Sequence, residues 1–223
     1  VAAVASNIAR LGALNFKRLA VCHASGMLTA KVLAPLREKS ATVFSFHPLQ
    51  TFPRDFPPRK VVTSIPGIFY GVDGTPAALR VAKSLARKLN GDVVVIPPPM
   101  RELYHAACVV ASNHLTALMW HVSRMYGRTG AKPRFFDVFK PIVLATMENI
   151  SRTSPAKALS GPVARGGTNT VKQHLKAVKK QVPDLLPYFT TLTIDTVNLA
   201  LAKGSINKAK ARELIRIARS INT

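Results

Sequence analysis

The periodicity of apolar residues changes once along this chain, at Pro97-Pro98-Pro99, and that change limits the folds open to it. Ahead of the prolines, Leu19–Cys22, Thr42–Phe46, Ile68–Val72 and Val93–Ile96 are short apolar runs, the pattern of buried strands. Between them, Thr29–Lys39 and Thr75–Leu89 repeat apolar residues at helical spacing. Thr75 is a candidate cap ahead of Pro76, and Asn90-Gly91 is a stop. Val1, Val4, Ile8 and Leu11 predict a further helix over Val1–Leu14. Pro48–Pro66 carries five prolines and reads as a loop.

No strand-like run follows the prolines. Helices are predicted over Arg101–Tyr126, Phe135–Ser151, Thr168–Lys180, Asp184–Ala202 and Ser205–Ile221, with a glycine-rich link from Gly161 to Gly167. Strand–helix alternation followed by helices alone predicts an α/β domain with a mostly parallel sheet over residues 1–97, then an all-α domain over 98–223.

Charge is the compositional anomaly. The 223 residues hold 32 Lys and Arg against 10 Asp and Glu, a net charge of +22, whereas a magnitude of about 2–8 suits a small domain. A polyanionic partner, nucleic acid or a ribonucleoprotein surface, is therefore one reading, and an evenly solvated basic surface is the other. Lys172, Lys176, Lys179 and Lys180 recur at helical spacing, so a basic stripe is feasible there. No apolar run reaches the length of a membrane span. Cys22 and Cys108 lie in apolar surroundings and read as buried thiols, which predicts a reducing compartment such as cytoplasm or an organelle matrix.

In parallel sheets ligands bind beyond the carboxyl ends of strands. Two polar clusters fall there: His23-Ala24-Ser25-Gly26 after the first strand, and His47-Pro48-Leu49-Gln50 after the second. Each histidine has an alternative role, holding its turn through a ring nitrogen. On the long helix His105, Ser112 and Asn113 share roughly one face, and a polar face on an apolar helix needs partners. Arg165, in the turn Ser160–Gly167, is a candidate for an anionic substrate group. The histidines lack metal-ligand spacing, and His114 and His121 read as packing residues. Neither a nucleophile elbow nor a phosphate-binding P-loop occurs.

The ordered strings HASG, HPLQTFP, LYHAACVVASNHLTAL, PIVLATMENI, ALSGPVARGG and TVKQHL resemble the Rossmann-like family that carries the helical domain of unknown function 2520. That family is similar to deazaflavin-dependent NADP oxidoreductases and pyrroline-carboxylate reductases, and its second domain to the C-terminal domain of 6-phosphogluconate dehydrogenase. The resemblance covers nearly the whole chain. It implies hydride transfer between a nicotinamide cofactor, NADP or NAD, and a small substrate. It further implies a homodimer made through the helical domain. By motif, His105 would donate a proton and Asn113 would orient the substrate, with Ser112 and Arg165 near its polar groups. His23, Ser25, Gly26, His47 and Gln50 would border the cofactor.

Two departures qualify the resemblance. The strand–GxGxxG–helix fingerprint that cradles a dinucleotide pyrophosphate is not found, and Val1 aligns with a helix past the middle of the family's nucleotide domain. The chain is therefore expected to lack that half and to bind cofactor poorly alone. Its alternative role is a basic, non-catalytic, RNA-associated subunit. The second departure is Gly167, where the family tends to have Asp; Thr168 is the candidate replacement cap.

Overall fold

The computed structural model describes residues 1–11 and 14–221. They form two compact units, Val1–Leu115 and Thr116–Thr223. In the first, α1 (Ala2–Ala9) precedes β1 (Ala20–His23), α2 (Ala34–Glu38) and β2 (Thr42–Pro48). After these come α3 (Pro58–Thr63), β3 (Phe69–Gly74), α4 (Pro76–Lys88), β4 (Asp92–Val95) and α5 (Arg101–Val109).

The sheet order is β1-β2-β3-β4. The β1/β2 and β3/β4 pairs are parallel, and the central β2/β3 pair is antiparallel. The reason lies in the connections. A parallel return needs a covering crossover, usually a helix, and α4 supplies one between β3 and β4. The proline-rich segment between β2 and β3 holds only the six-residue α3, so β3 returns antiparallel. Helix α3 itself corrects the expectation of an all-loop segment: Pro58 sits at its first position, where a missing N–H costs nothing.

Alternation along β2 sorts its residues onto two faces. Phe44 and Phe46 face α4 and pack with Tyr70, Val72 and the row Ala78, Ala82, Ala86. Small side chains at i, i+4 and i+8 let α4 lie close on the sheet. Thr75 caps that helix, its hydroxyl accepting from the Ala78 N–H at 3.3 Å. Val43, Ser45 and His47 face the other way. Val43 joins Ala5, Phe16, Leu33 and Leu36 in a second apolar cluster. The helix expected over Thr29–Lys39 is a 3-10 turn, Ala30–Leu33, followed by α2, because Pro35 restricts the residue before it and removes a donor. Helix α1 ends at Ala9; residues 12 and 13 lie outside the described residues.

The second unit is helical. It comprises α6 (Leu115–Gly127), α7 (Phe135–Arg152), α8 (Pro155–Ala158), α9 (Thr168–Gln181), α10 (Leu186–Lys203) and α11 (Lys208–Ser220). Among the described residues no strand follows Val95, as the sequence predicts. The core is built by α9, α10 and α11, with Val171, Leu175, Val197 and Leu214 almost wholly buried. Each such side chain contributes roughly 1.5–3 kcal/mol of transfer free energy. Gly204 ends α10 in the left-handed region at φ 75°, and Asn207 caps α11 by accepting from the Lys210 N–H at 2.9 Å. Thr168 is the first residue of α9 rather than its cap, and Gly167 in the cap position offers no side chain.

The single helix expected over Arg101–Tyr126 is three segments: α5, a π turn over Val110–His114, and α6. A π turn shifts the phase of everything beyond it and often accompanies a functional site. Two further expectations are corrected. Cys22 is exposed and Cys108 half-buried; β1 is an edge strand, and Cys22 points to the face on which α4 packs over β2, β3 and β4. His114 is exposed, whereas His121 packs as expected, its ring 4.7 Å from that of Tyr188.

Candidate functional site

The polar face of the sheet carries a connected set of buried side chains. Register places His23 beside Ser45 and Ser45 beside Asp73, one row across three strands. Ser45, Asp73 and Arg101 are 0%, 4% and 1% exposed, so their polar atoms must satisfy one another. The Ser45 hydroxyl donates to Asp73 Oδ1 and accepts the Asp73 N–H at 2.9 Å. Asp73 Oδ2 accepts the Ala30 N–H at 2.8 Å. Arg101 Nη1 stands 3.7 Å from Asp73 Oδ1, and Nη2 donates to the Ser25 carbonyl at 3.0 Å.

Arg101 therefore pins the first turn of α5 to β3 and to the turn after β1. Tyr104 and His105 lie three and four residues on, over the same face of the helix. The pin sets them against the end of β2. The Tyr104 hydroxyl lies 2.9 Å from His47 Nδ1, and the His47 and His105 ring centroids are 6.1 Å apart. Two glycines make room. Gly71 is the cross-strand partner of His47, and a β-carbon there would overlap the Tyr104 hydroxyl and stand 2.6 Å from its Cζ. A β-carbon on Gly26 would overlap the His105 ring and stand 2.9 Å from His47 Nε2. Both imidazoles thus converge on the Gly26 backbone.

Electrostatics fixes the protons. Burial, then the Arg101 charge, then His105 push the His47 pKa below the ordinary histidine value, so His47 is neutral near pH 7. Burial, then the neighbouring Cys108, push the Tyr104 pKa far up, and Arg101 only partly offsets this, so the phenol keeps its proton. A protonated phenol facing a neutral imidazole donates to it. We assign Tyr104 O–H to His47 Nδ1, which leaves the His47 proton on Nε2, beside Gly26 and His105.

The other sequence-predicted residues fall in different places. His23 is a turn residue: its Nε2 donates to the Thr29 carbonyl at 3.1 Å and its Nδ1 accepts the Ser25 N–H at 3.2 Å, so both ring nitrogens are engaged. Ser25 accepts the Leu28 N–H and Gly26 is buried between the histidines. Gln50 is exposed, its amide bound to Ser64 and Thr51 backbone. The Ser112 hydroxyl donates to the Cys108 carbonyl at 2.8 Å and lies 3.0 Å from the Asn113 amide, and Asn113 is exposed. Asn113 lies in the π turn Val110–His114, beyond the end of the helix that carries His105. Arg165 lies exposed in the second unit, in a turn closed by Gly167 N–H to the Pro162 carbonyl at 2.9 Å.

Sequence reasoning missed Tyr104, Asp73, Ser45 and Arg101. The signal for Tyr104 and Arg101 was their i−1 and i−4 spacing from His105. Asp73 stands just past the apolar run Ile68–Val72, where no local pattern marks it.

Residues 68–196, more than half of the chain, match the family model described as "Domain of unknown function (DUF2520)". The chain belongs to the DUF2520 family. The matched span includes Gly71, Asp73, Arg101, Tyr104 and His105, and begins after His23, Ser45 and His47. Among solved structures, protein TM1727 from Thermotoga maritima is similar at 23% identity and a TM-score of 0.60, over 90% of this chain and 68% of that one. The putative NADP oxidoreductase BF3122 from Bacteroides fragilis is similar at 17% identity and a TM-score of 0.64, over 82% of this chain and 66% of that one. At these identities the likeness shows the fold: a Rossmann-like α/β unit followed by helices. No curated protein matches the chain in sequence. Among the described residues no helix is long and apolar enough to cross a membrane, and no cluster of metal-ligating side chains occurs.

Proposed function

We propose that this DUF2520 chain belongs to an NADP- or NAD-dependent oxidoreductase acting on a small substrate, and that its first unit handles the proton of that reaction. The observation that carries the reading is the 2.9 Å contact of Tyr104 with His47, beside the His105 ring. The solved likeness to a protein named as an NADP oxidoreductase supports the same direction.

Reduction of a carbon–oxygen or carbon–nitrogen double bond leaves a basic oxygen or nitrogen that must gain a proton. His105 is the proposed donor. His47, fixed in one tautomer by Tyr104, orients it and presents an Nε2–H on the same side. Arg101 and Asp73 are positioning residues. The described residues do not fit the dinucleotide itself: the turn after β1 packs Gly26 beneath two imidazoles, and the sequence has no GxGxxG turn. The chain's own contribution is the proton and the groups that orient its donor.

A homodimer through the helical unit belongs to the same proposal. All eighteen residues of α7 escape full burial, and Phe136, Val138, Ile142, Leu144 and Met147 are exposed on it. A patch of this size calls for a covering surface, and a second copy supplies one.

The test is turnover of reduced NADP at millimolar cofactor against imino and keto acids. His105→Asn should abolish the rate measured for the native chain. Equal rates in both, or no turnover with any carbonyl or imine, would overturn the reading.

A further inference from the structure

The oxidoreductase reading leaves the charge unused. On α9, Lys172, Lys176 and Lys179 stand at i, i+4 and i+7; on α11, Arg212, Arg216 and Arg219 repeat the same spacing. All six are exposed. The two helices pack on one another and run in the same direction: Gly166, ahead of α9, lies against Lys210 at the start of α11, and at the far ends Lys179 Nζ donates to the Ile221 carbonyl at 2.9 Å. Two basic rows therefore run along neighbouring, parallel helices. Helices in contact are separated by about 8–10 Å, and charges along each row are about 4.5–6 Å apart at 1.5 Å per residue.

Little negative charge opposes them. Helix α9 has no acid, and the one acid of α11, Glu213, is paired with Lys210 at 2.7 Å. Arg212, Ile215, Arg216, Arg219 and Ser220 line a shallow groove along α11. We infer that the α9–α11 face binds the phosphodiester backbone of a nucleic acid, without sequence preference.

Three observations select that partner. The rows are linear arrays of cations, matching a linear array of phosphates. Helices α9 and α11 carry no Phe, Tyr or Trp on which a base could stack, so contacts are to backbone rather than bases. A membrane-surface helix needs apolar or aromatic side chains beside its lysines, whereas here Val171, Leu175, Val178, Leu214 and Ala218 are buried in the core.

The experiment is fluorescence anisotropy of the full chain with a labelled single-stranded RNA and with a DNA duplex. Binding to both is expected at low salt. Engaging about six phosphates of a single strand should weaken affinity by roughly two orders of magnitude or more between about 50 and 200 mM salt. The triple variant Lys176→Glu, Arg212→Glu, Arg216→Glu should lose at least about tenfold in affinity and show a shallower salt slope. A second triple variant, Arg80→Glu, Lys83→Glu, Arg87→Glu, changes net charge equally on exposed α4 and should stay within about threefold of native. Circular dichroism checks that both variants remain folded. Equal losses in the two variants would show that diffuse charge binds and would overturn the face. So would absence of binding at low salt, or tighter binding to vesicles containing phosphatidylserine.

Discussion

Tyr104 reaches His47 only because Gly71 lies between their backbones without a side chain. Gly71 is the strand partner of His47, and a β-carbon there would overlap the Tyr104 hydroxyl. Gly71→Ala should therefore displace the phenol and break the 2.9 Å contact. The cost expected is that of overpacking, about 1–3 kcal/mol. Urea unfolding of Gly71→Ala and of the double variant with Tyr104→Phe checks this: the alanine should cost less once the hydroxyl is gone. An equal cost in both backgrounds would show that the hydroxyl is not what the alanine meets.

The pH dependence of stability should carry the mark of His47. Its folded pKa is held below the ordinary value of 6.5 by burial, Arg101 and His105. The unfolded chain then binds more protons, so stability rises with pH in this window. It is lost as pH falls through 6.5 toward the folded pKa. Denaturant titrations between about pH 7 and 5 should show that loss, and His47→Gln should flatten it. Parallel curves for the two proteins would contradict the assignment.

The buried ion pair invites a charge-only test. Asp73 and Arg101 are 4% and 1% exposed and 3.7 Å apart. Arg101 Nε and Nη1 make no hydrogen bond of their own, so the carboxylate charge is their main compensation. Asp73→Asn keeps the shape and removes the charge, and should destabilise the fold by about 3–5 kcal/mol. A loss below about 1 kcal/mol would mean that Arg101 is solvated in some other way.

Cofactor affinity gives a fourth prediction. The sequence lacks the glycine turn whose N–H groups hold a pyrophosphate. Calorimetric titration of this chain with NADP should give millimolar or weaker binding. Micromolar binding would reveal a phosphate site of a different kind.

For the proposed dimer, the exposed row on α7 offers a direct probe. Ile142 is 63% exposed and Leu144 56%. Sedimentation velocity of the native chain should give a dimer, and Ile142→Glu should shift it to monomer. A native monomer at tens of micromolar would remove the dimer from the reading.

The sequence determined by itself the order of the four strands, the change from strands to helices, the cap at Thr75, and the positions of α4, α9 and α11. These depend on local spacing, and spacing survives whatever the rest of the chain does. It also marked His23, His47 and His105, the first two by their positions at strand ends. Only the tertiary structure decided the antiparallel β2/β3 pair, because the direction of a return strand depends on how its connection packs. The π turn at Val110–His114, too, was invisible to α-helical counting, because a local widening of the helix leaves no apolar spacing of its own. Asp73, Arg101 and Tyr104 became a site through strand register and helix docking. No local pattern records that Ser45 will face Asp73, or that two glycines will leave room for a phenol and two imidazoles. Close approach is a property of surfaces brought together, and it exists only once the sheet and α5 have met.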